Sequence, residues 1–265
     1  TFAGTVDTTT GVTLTNTSGT ISFNDALTTP TLTTAVQPYN LQLNGTTGTI
    51  TNAVAFTNTG TLKLGASSGT QNYISGFSSS GPSAITLNGT LQSSSASISI
   101  GASGRTVTLA GNVVINTYSD AGAGANLSIA GDVQATSTGA QALTLKAKSG
   151  AISILGNIGS VASLSTLTLG DAAQTGLVTV DGTLSVQTLV AGANSGTNAF
   201  DVHLKNTADA AGTSTVSGVA TFYNTGTLGL GDYQSDVFNF QGGLAANALH
   251  VSELHALAAC NFQHD

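Results

Sequence analysis

Short runs in which apolar and polar residues alternate recur along most of the chain. Each run places two apolar side chains on one face of an extended segment and a polar side chain on the other, as in a half-buried β-strand. Thr, Val and Ile favour strands, and good helix formers are sparse before the C-terminus. The pattern predicts an all-β protein whose strands include Val12–Leu14, Leu41–Leu43, Leu62–Leu64, Ile98–Ile100, Val107–Leu109, Leu143–Leu145, Ile152–Ile154 and Leu167–Leu169.

A second pattern consists of an apolar residue, any residue, Gly, a polar residue and an apolar residue. It occurs five times, once in a form one residue shorter, and its glycines lie 22, 20, 25 and 26 residues apart. Such a period is that of one turn in a solenoid. We expect each glycine to occupy an equivalent corner with an unusual φ angle. The glycines are Gly89, Gly111, Gly131, Gly156 and Gly182.

The regular glycine spacing favours a right-handed parallel β-helix of about a dozen turns. An antiparallel β-sandwich is the alternative fold, because several neighbouring strands are joined by segments short enough for hairpins. Residues 146–150 and 170–176 are two such segments, and they fit the corners of a solenoid equally well.

A longer repeat is superimposed on the short one. Phe56–Gly65 recurs as Phe222–Gly231, with eight of ten residues identical at an offset of 166. We interpret residues 25–77 and 185–244 as partial copies of one module. Residues 1–248 then form a β-helix repeat domain. Residues 249–265, where the pattern stops, form a C-terminal cap or a tail introduced by cloning.

The element Phe-x-Asn-Thr-Gly-Thr-Leu-x-Leu-Gly and the Leu-x-Leu-x-Gly-Asn/Asp-Val turns resemble very large bacterial surface proteins with β-strand repeats. These are the filamentous-haemagglutinin-like and autotransporter-type adhesins, and the resemblance covers about residues 1–248. It implies a right-handed parallel β-helix, secretion to the bacterial cell surface, and a stalk or adhesive role within a longer filament. The implied partner is a ligand on host or neighbouring cells, or a polysaccharide. The open solenoid ends suggest self-association.

Composition narrows the function classes. Charged residues make up only 6% of the chain and the net charge is −7, which argues against nucleic-acid binding. The 40% apolar content argues against disorder. No run of about 20 apolar residues predicts a membrane-spanning helix. Cys260 is the only cysteine, so an intrachain disulfide is excluded. The five cations form no basic run; they are Lys63, Arg105, Lys146, Lys148 and Lys205.

The tail has a different composition. Residues 249–265 contain three of the four histidines, the only cysteine and the only glutamate. The spacing of apolar residues from Leu249 to Ala258 fits a short helix. A solenoid end needs a cap over its core and strand edges, so a cap explains the tail. The alternative is a zinc site, although its spacing matches no standard motif. The candidate ligands are His250, Glu253, His255, Cys260 and His264.

Catalytic candidates are few. Gly65–Gly69 fits the G-x-S-x-G pattern of esterases with Ser67 as nucleophile, although no helix is predicted to follow it. His203 lies between two apolar residues and is expected to face solvent from a strand. A β-helix hydrolase or polysaccharide lyase needs clustered carboxylates with Lys or Arg. The available groups are Asp171, Asp181 and Asp201 with Arg105, Lys146 and Lys148.

Two interpretations compete with catalysis at these residues. Asp132 and Asp181 each neighbour a glycine of the repeat, where Asp commonly bonds its own backbone in a turn. Thr-x-Thr units at residues 13–15 and 31–33 are typical of ice-binding faces, but also of ordinary strand surfaces. The sequence therefore favours a non-enzymatic structural or adhesive segment without a cofactor. The alternatives are a hydrolase or lyase, with zinc held by the tail, and an ice-binding face.

Overall fold

The protein forms a parallel β-solenoid of about 10 turns in a computed structural model. The structure describes residues 1–15, 18–196, 198–206, 212–232 and 235–246, together with the backbone of strands at 250–254 and 259–262. Within these ranges the chain is all-β and contains no helix. Consequently, no described segment is a helix suited to crossing a bilayer. The predicted β-solenoid is confirmed.

In the part of the chain that the structure describes, twenty-nine short strands follow one another, and most contain three to five residues. The strands before the middle of the chain are β1 (Val6–Asp7), β2 (Val12–Leu14), β3 (Thr20–Phe23), β4 (Leu27–Thr29), β5 (Leu32–Thr34), β6 (Asn40–Leu43), β7 (Thr47–Ile50), β8 (Val54–Ala55), β9 (Thr61–Leu64), β10 (Thr70–Tyr73), β11 (Phe77–Ser79), β12 (Ala84–Gln92), β13 (Ile98–Ile100), β14 (Thr106–Asn116) and β15 (Leu127–Ile129).

The remaining strands continue the same order with similar lengths. They are β16 (Asp132–Ala135), β17 (Ala142–Lys146), β18 (Ile152–Ile154), β19 (Leu164–Leu169), β20 (Val178–Val180), β21 (Ser185–Ala191), β22 (Val202–Leu204), β23 (Thr213–Val216), β24 (Ala220–Phe222), β25 (Thr227–Leu230), β26 (Val237–Phe240), β27 (Leu244–Ala246), β28 (His250–Leu254) and β29 (Ala259–Phe262).

Each turn of the solenoid has three faces. The first face contains β3, β6, β9, β16, β23 and β26, and the second contains β4, β7, β10, β17 and β24. The long strands β12, β14 and β21 run along the first face and continue into the second. The third face is a separate nine-stranded sheet from β8 to β28, preceded by the pair β2 and β5. The three faces thus enclose one interior.

Neighbouring strands come from successive turns. Every strand pairing within the described ranges is parallel. The antiparallel sandwich is therefore wrong. Residues 146–150 and 170–176 turn the chain from the second face to the third instead of forming hairpins.

The core consists of inward side chains stacked in register from turn to turn. On the second face Leu91, Ile115, Leu145 and Leu169 lie directly opposite one another, and all four are fully buried. Burying one such side chain stabilises the fold by about 1.5–3 kcal/mol. Successive residues of a strand point alternately into the core and away from it. This alternation explains why apolar and polar residues alternate in the sequence of the predicted strands.

The repeat glycines have a different cause from the one expected. Only Gly89 of the five has a positive φ angle, +71°. The first two glycines lie between the first and second faces, whereas the last three lie between the third and first. A Cβ atom on Gly182 would contact the carbonyl oxygen of Gly156, and one on Gly156 would contact that of Gly131. At Gly156 and Gly182, glycine is therefore required because successive turns approach each other closely, and not because of an unusual φ angle.

The repeated ten-residue element forms a corner with its own hydrogen bonds. In Phe56–Gly65 the side chain of Asn58 is fully buried, and its Nδ2 donates to the carbonyl oxygens of Tyr39 at 3.2 Å and Thr61 at 3.1 Å. The N–H of Thr61 donates to Oδ1 of Asn40 at 2.8 Å. These bonds fasten the corner to the preceding turn.

The second copy, Phe222–Gly231, repeats these bonds. Asn224 is fully buried, and its Nδ2 donates to the carbonyl oxygens of Phe200 at 3.3 Å and Thr227 at 3.1 Å. The N–H of Thr227 donates to Oδ1 of Asp201 at 2.7 Å. The first copy leads into β9 on the first face, and the second leads into β25 on the third face. One local structure thus serves two different corners of the solenoid.

The start of the tail is a strand, so the short helix expected between Leu249 and Ala258 is wrong over its first half. Strand β28 (His250–Leu254) pairs with β25, and β29 (Ala259–Phe262) pairs with β26. These pairings add strands to the first and third faces. A role as cap for residues 249–265 stays a prediction.

Candidate functional site on the third face

The third face carries a straight column of outward side chains. Its members are small hydroxyl residues that lie directly opposite one another on successive turns. The column contains Ser78, Ser99, Ser128, Ser153 and Thr179. It continues into His203 and then Gly229. The character of the face thus changes at β22.

Three polar residues project from β22 and its two ends. Val202 and Leu204 are buried, so Asp201, His203 and Lys205 all lie on the outer side. The adjacent turn on one side contributes Asp181, and the turn on the other side contributes Asp232. We call Asp181, Asp201, His203, Lys205 and Asp232 the charged flank. The predicted candidates Asp181, Asp201 and His203 therefore share one face.

Lys205 forms an ion pair with a residue of the preceding turn. Its Nζ lies 3.4 Å from Oδ1 of Asp181, and both side chains are about one-third exposed, at 39% and 32%. An ion pair with this exposure contributes at most about 1 kcal/mol. The bond makes Asp181 an ion-pair partner instead of a residue that bonds its own turn, as one interpretation expected.

Two carboxyl groups of the charged flank are shifted in opposite directions. Hydrogen bonds from the backbone and side chain of Thr227 lower the pKa of Asp201, so this group is ionised at neutral pH. Burial raises the pKa of Asp232, the negative charge of Asp236 raises it further, and Lys205 opposes the shift. The two carboxyl groups thus differ in how readily they hold a proton.

His203 packs against the backbone of the following turn at Gly229. A Cβ atom on Gly229 would lie 3.3 Å from Cδ2 of His203 and 3.9 Å from its Nε2. The imidazole ring therefore leans over Gly229 towards the following turn. Gly229 is buried, and the ring of His203 lies over it.

A second group of charges lies at the corner between the second and third faces. Tyr118 donates a hydrogen bond to Asp171, and Nζ of Lys146 lies 3.7 Å from the same carboxylate. Lys148 places its Nζ 5.9 Å from the centre of the Tyr118 ring and donates to the carbonyl oxygen of Gly122 at 2.6 Å. These groups satisfy one another and join three successive turns, so we interpret them as a structural clasp.

The clasp also shifts a titrating group. Burial raises the pKa of Tyr118, and the hydrogen bond to Asp171 and its negative charge raise it further. The phenol is therefore a neutral donor at all ordinary pH values. Arg105, grouped with these residues by the sequence, lies instead at the exposed corner before β14.

Ser67 lies in an exposed turn between β9 and β10. Its Oγ accepts a hydrogen bond from Nδ2 of Asn88 at 3.4 Å. The chain continues from Ser67 into a strand, as the sequence indicated, whereas the G-x-S-x-G turn of esterases leads into a helix. The local structure is thus that of a solenoid corner.

The sequence patterns did not reveal the side chains that form hydrogen bonds between successive turns. Oδ1 of Asp132 accepts the N–H of Asn157 at 2.8 Å, and Oδ1 of Asn157 accepts the N–H of Thr183 at 3.0 Å. Asp132 therefore bonds the next turn and not its own backbone. Asn or Asp one turn before a strand start is the signal that would have revealed these bonds.

The two Thr-x-Thr units do not align with each other. Thr13 lies opposite Thr33 on neighbouring strands, but Thr31 lies beside Gly11. One unit is displaced by two residues relative to the other along the paired strands. The two units therefore place only Thr13 and Thr33 side by side, instead of two pairs of threonines.

The metal ligands predicted in the tail fall largely outside the described residues. His255 and His264 lie there, whereas His250, Glu253 and Cys260 are placed by the backbone of β28 and β29 alone. Among the side chains that the structure describes, no group of three or more His, Cys, Asp or Glu is arranged to hold a metal ion.

Comparisons of the chain with protein-family models, with curated proteins and with solved structures gave no significant match.

Proposed function

We propose that this chain is a structural and adhesive segment of a secreted bacterial surface protein, and that it is not an enzyme. The observation that carries the proposal is the uninterrupted interior. Inward residues stack in register through the solenoid, for example Ile100, Ile129, Ile154 and Val180 on the third face. A fold that buries its core only against neighbouring turns is suited to length and to stiffness.

The outer surface supports an adhesive role. Small hydroxyl and amide side chains cover the strands, with few charges between them. Nε2 of Gln92, for instance, donates to Oδ1 of Asn72 at 2.6 Å across neighbouring turns. Such regular rows of neutral donors and acceptors suit a repetitive polar ligand, such as a polysaccharide, better than a compact charged molecule.

The cellular location is tested with antibodies raised against the purified chain. We expect them to label intact cells of the source bacterium, with equal labelling after permeabilisation. Labelling that requires permeabilisation would place the protein inside the cell and overturn the proposal. A cytosolic protein serves as the matched control for cell integrity.

The adhesive part is tested by binding of the labelled chain to host cells, neighbouring bacteria and a polysaccharide array. We expect saturable binding that resists moderate salt, because the surface carries few charges. Retention on none of these surfaces would leave a stalk role only.

A hydrolase or polysaccharide lyase is the second candidate. The opposite pKa shifts of Asp201 and Asp232 favour it, because enzymes separate an acid from a base in this way. Hydrolysis and elimination are assayed on ester and polysaccharide substrates with and without chelator. Turnover that disappears in both Asp201→Asn and Asp232→Asn would establish this candidate and overturn the non-enzymatic proposal.

A further inference from the structure

We propose that the second face of the solenoid binds the surface of ice. The binding surface is a column of outward side chains that crosses eight successive turns, and we call it the threonine column. This function goes beyond the structural and adhesive role and does not depend on it, since a stalk and an adhesive surface are both compatible with the column. Its members are all Thr or Val, namely Thr47, Thr70, Thr90, Val114, Thr144, Thr168, Val190 and Thr221.

Strand register places these side chains in one row. Thr47 lies opposite Thr70, and Thr70 lies opposite Thr90. Val114 and Thr144 continue the row, and the last three members follow in the same way from β19 to β24. Neighbouring strands lie about 4.8 Å apart, so the column is about 34 Å long. It therefore presents one side-chain shape at one fixed repeat.

The core holds the column in place. From the second member onwards, each residue of the column lies between two buried residues of its own strand. Thr168, for example, lies between Leu167 and Leu169, and both of these leucines are fully buried. Because close-packed interiors resist deformation, the spacing of the outward residues is fixed by the packing of the inward ones.

The hydroxyl groups of the column are available to a ligand. Within the part of the chain that the structure describes, none of its six threonine hydroxyls forms a hydrogen bond with another residue. Threonines at the corners differ in this respect. Oγ1 of Thr34 donates to the carbonyl oxygen of Ala55 at 2.9 Å, and Oγ1 of Thr183 donates to Oδ1 of Asn157 at 2.9 Å. Threonine thus connects turns at the corners and faces outwards along the column.

The two valines indicate what the column recognises. Thr and Val have nearly the same shape, and both carry a methyl group on Cβ. The column therefore has a methyl group at every position, whereas Val114 and Val190 interrupt the row of hydroxyls. A ligand recognised only by hydrogen bonds would lose a partner at each valine. The composition favours a ligand that fits the methyl groups and also forms hydrogen bonds with the hydroxyls.

Ice meets both requirements. Water forms hydrogen-bonded shells around methyl groups, and a threonine hydroxyl both donates to water and accepts from it. The strand repeat of about 4.8 Å is close to one of the repeat distances of crystalline ice. Water ordered along the column therefore matches the crystal, and weak contacts at eight equivalent positions add up on one ice surface.

The charge of the column argues against other ligands. No member is charged, and the neighbouring Lys146 is compensated by Asp171, whose carboxylate lies 3.7 Å from its Nζ. A nucleic acid or an anionic membrane would require a cluster of cations. No member is aromatic either, whereas sites for organic ligands are lined largely by apolar and aromatic side chains. An uncharged crystal surface fits this composition best.

The test grows ice slowly in a solution of the fluorescently labelled full chain. We expect the chain to enter the ice while labelled serum albumin stays in the liquid, and to lower the freezing point below the melting point. Thr168→Lys places a charged side chain within the column and should abolish both effects. Thr168→Val keeps the shape and the methyl group, so both effects should persist.

The matched control is Thr179→Lys. Thr179 lies in the same turn on the third face and also points outwards between two buried residues. This variant should bind ice as the wild type does. Thr90→Lys repeats the test in another turn of the column, which covers the case of a misfolded Thr168→Lys. Circular dichroism verifies that each variant keeps its β-structure.

Three outcomes would overturn the proposal. They are exclusion of the wild type from ice, unchanged ice binding in both Thr168→Lys and Thr90→Lys, and an equal loss in Thr179→Lys. Loss of ice binding in Thr168→Val would also overturn it, because recognition would then depend on hydrogen bonds, as for a polysaccharide. None of these outcomes changes the labelling of intact cells by antibodies, so this proposal and the proposed cell-surface role fail separately.

Discussion

At the scale of single residues, glycine is required for two separable reasons. Gly65 and Gly104 have similar positive φ angles, +86° and +71°. A Cβ on Gly65 would collide with the carbonyl oxygen of Asn88 in the next turn, whereas nothing lies within 4 Å of a Cβ on Gly104. The two positions therefore separate the cost of the φ angle from that of close approach.

We predict that Gly65→Ala destabilises the protein more than Gly104→Ala. Both variants pay about 1–2 kcal/mol for a left-handed alanine. Gly65→Ala also forces two turns apart, and overpacking typically costs a further 1–3 kcal/mol or so. Urea unfolding followed by circular dichroism measures both values. Equal losses in the two variants would contradict a role for close approach.

The period of two residues was sufficient to find the strands. All eight of the alternating runs named above lie within strands, because their inward apolar residues are buried, Val12 only partly, and the polar residues between them are not. The cause of glycine at Gly131, Gly156 and Gly182 was not predictable. It depends on how closely one turn lies on the next, which requires the register between turns.

At the scale of elements, the corner at residues 117–126 is held by the clasp around Tyr118. Its hydroxyl donates to Asp171, which lies two turns further along the chain. The raised pKa of Tyr118 means that the unfolded chain loses this proton at a lower pH than the folded chain. The clasp therefore stabilises the fold fully below about pH 10, the usual tyrosine pKa, and progressively less above it.

We predict that Tyr118→Phe lowers stability at pH 7 by about 1.5–3 kcal/mol, the usual contribution of a hydrogen bond to a charged group. The difference from the wild type should shrink as the pH rises above about 10. Thermal unfolding at pH 7, 9 and 11 measures it. Spectrophotometric titration of tyrosinate in Asp171→Asn provides the control, where the Tyr118 proton should be released at a lower pH. A difference independent of pH would contradict this account.

Only part of the charged flank could be predicted from the sequence, because its members come from three different turns. Asp201, His203 and Lys205 occupy alternate positions around one strand, so the sequence alone places them on one face. Asp181 and Asp232 join them only when the lengths of two turns are known. Those lengths vary, since corners such as 117–126 take up additional residues.

At the scale of the whole molecule, one turn should be removable. Ser79 lies opposite Ile100 on the third face, so residues 80–100 make up one complete turn. After deletion, β11 would meet β15 with the inward and outward positions unchanged. A repeat fold whose turns contact only their neighbours tolerates such a change.

We predict that the variant lacking residues 80–100 folds into a solenoid shorter by about 4.8 Å, with a β-rich circular dichroism spectrum and cooperative unfolding. Small-angle X-ray scattering measures its length. The control lacks residues 80–89, about half a turn, and should aggregate because its faces no longer align. Folding of both variants, or of neither, would show that the turn is not the unit of this fold.

The relative direction of neighbouring strands could not be determined from the sequence. The glycine spacing indicated stacked turns, yet Leu143–Leu145 and Ile152–Ile154 were equally compatible with a hairpin. Only the pairing of Leu143 with Leu167 and of Ile152 with Val178 distinguishes the two folds. Those partners lie more than 20 residues away, beyond the reach of local patterns.

The two copies of the ten-residue corner differ in the faces that they join, although their hydrogen bonds are the same. Genetic exchange between the two copies would keep the corner itself intact, because both copies carry the same buried asparagine. It would nevertheless move every later strand by one face, since one copy leads into the first face and the other into the third. Sequence similarity between the copies is therefore no guide to where the gene can be shortened, and the loss of the coding sequence between them should be as harmful as the loss of half a turn.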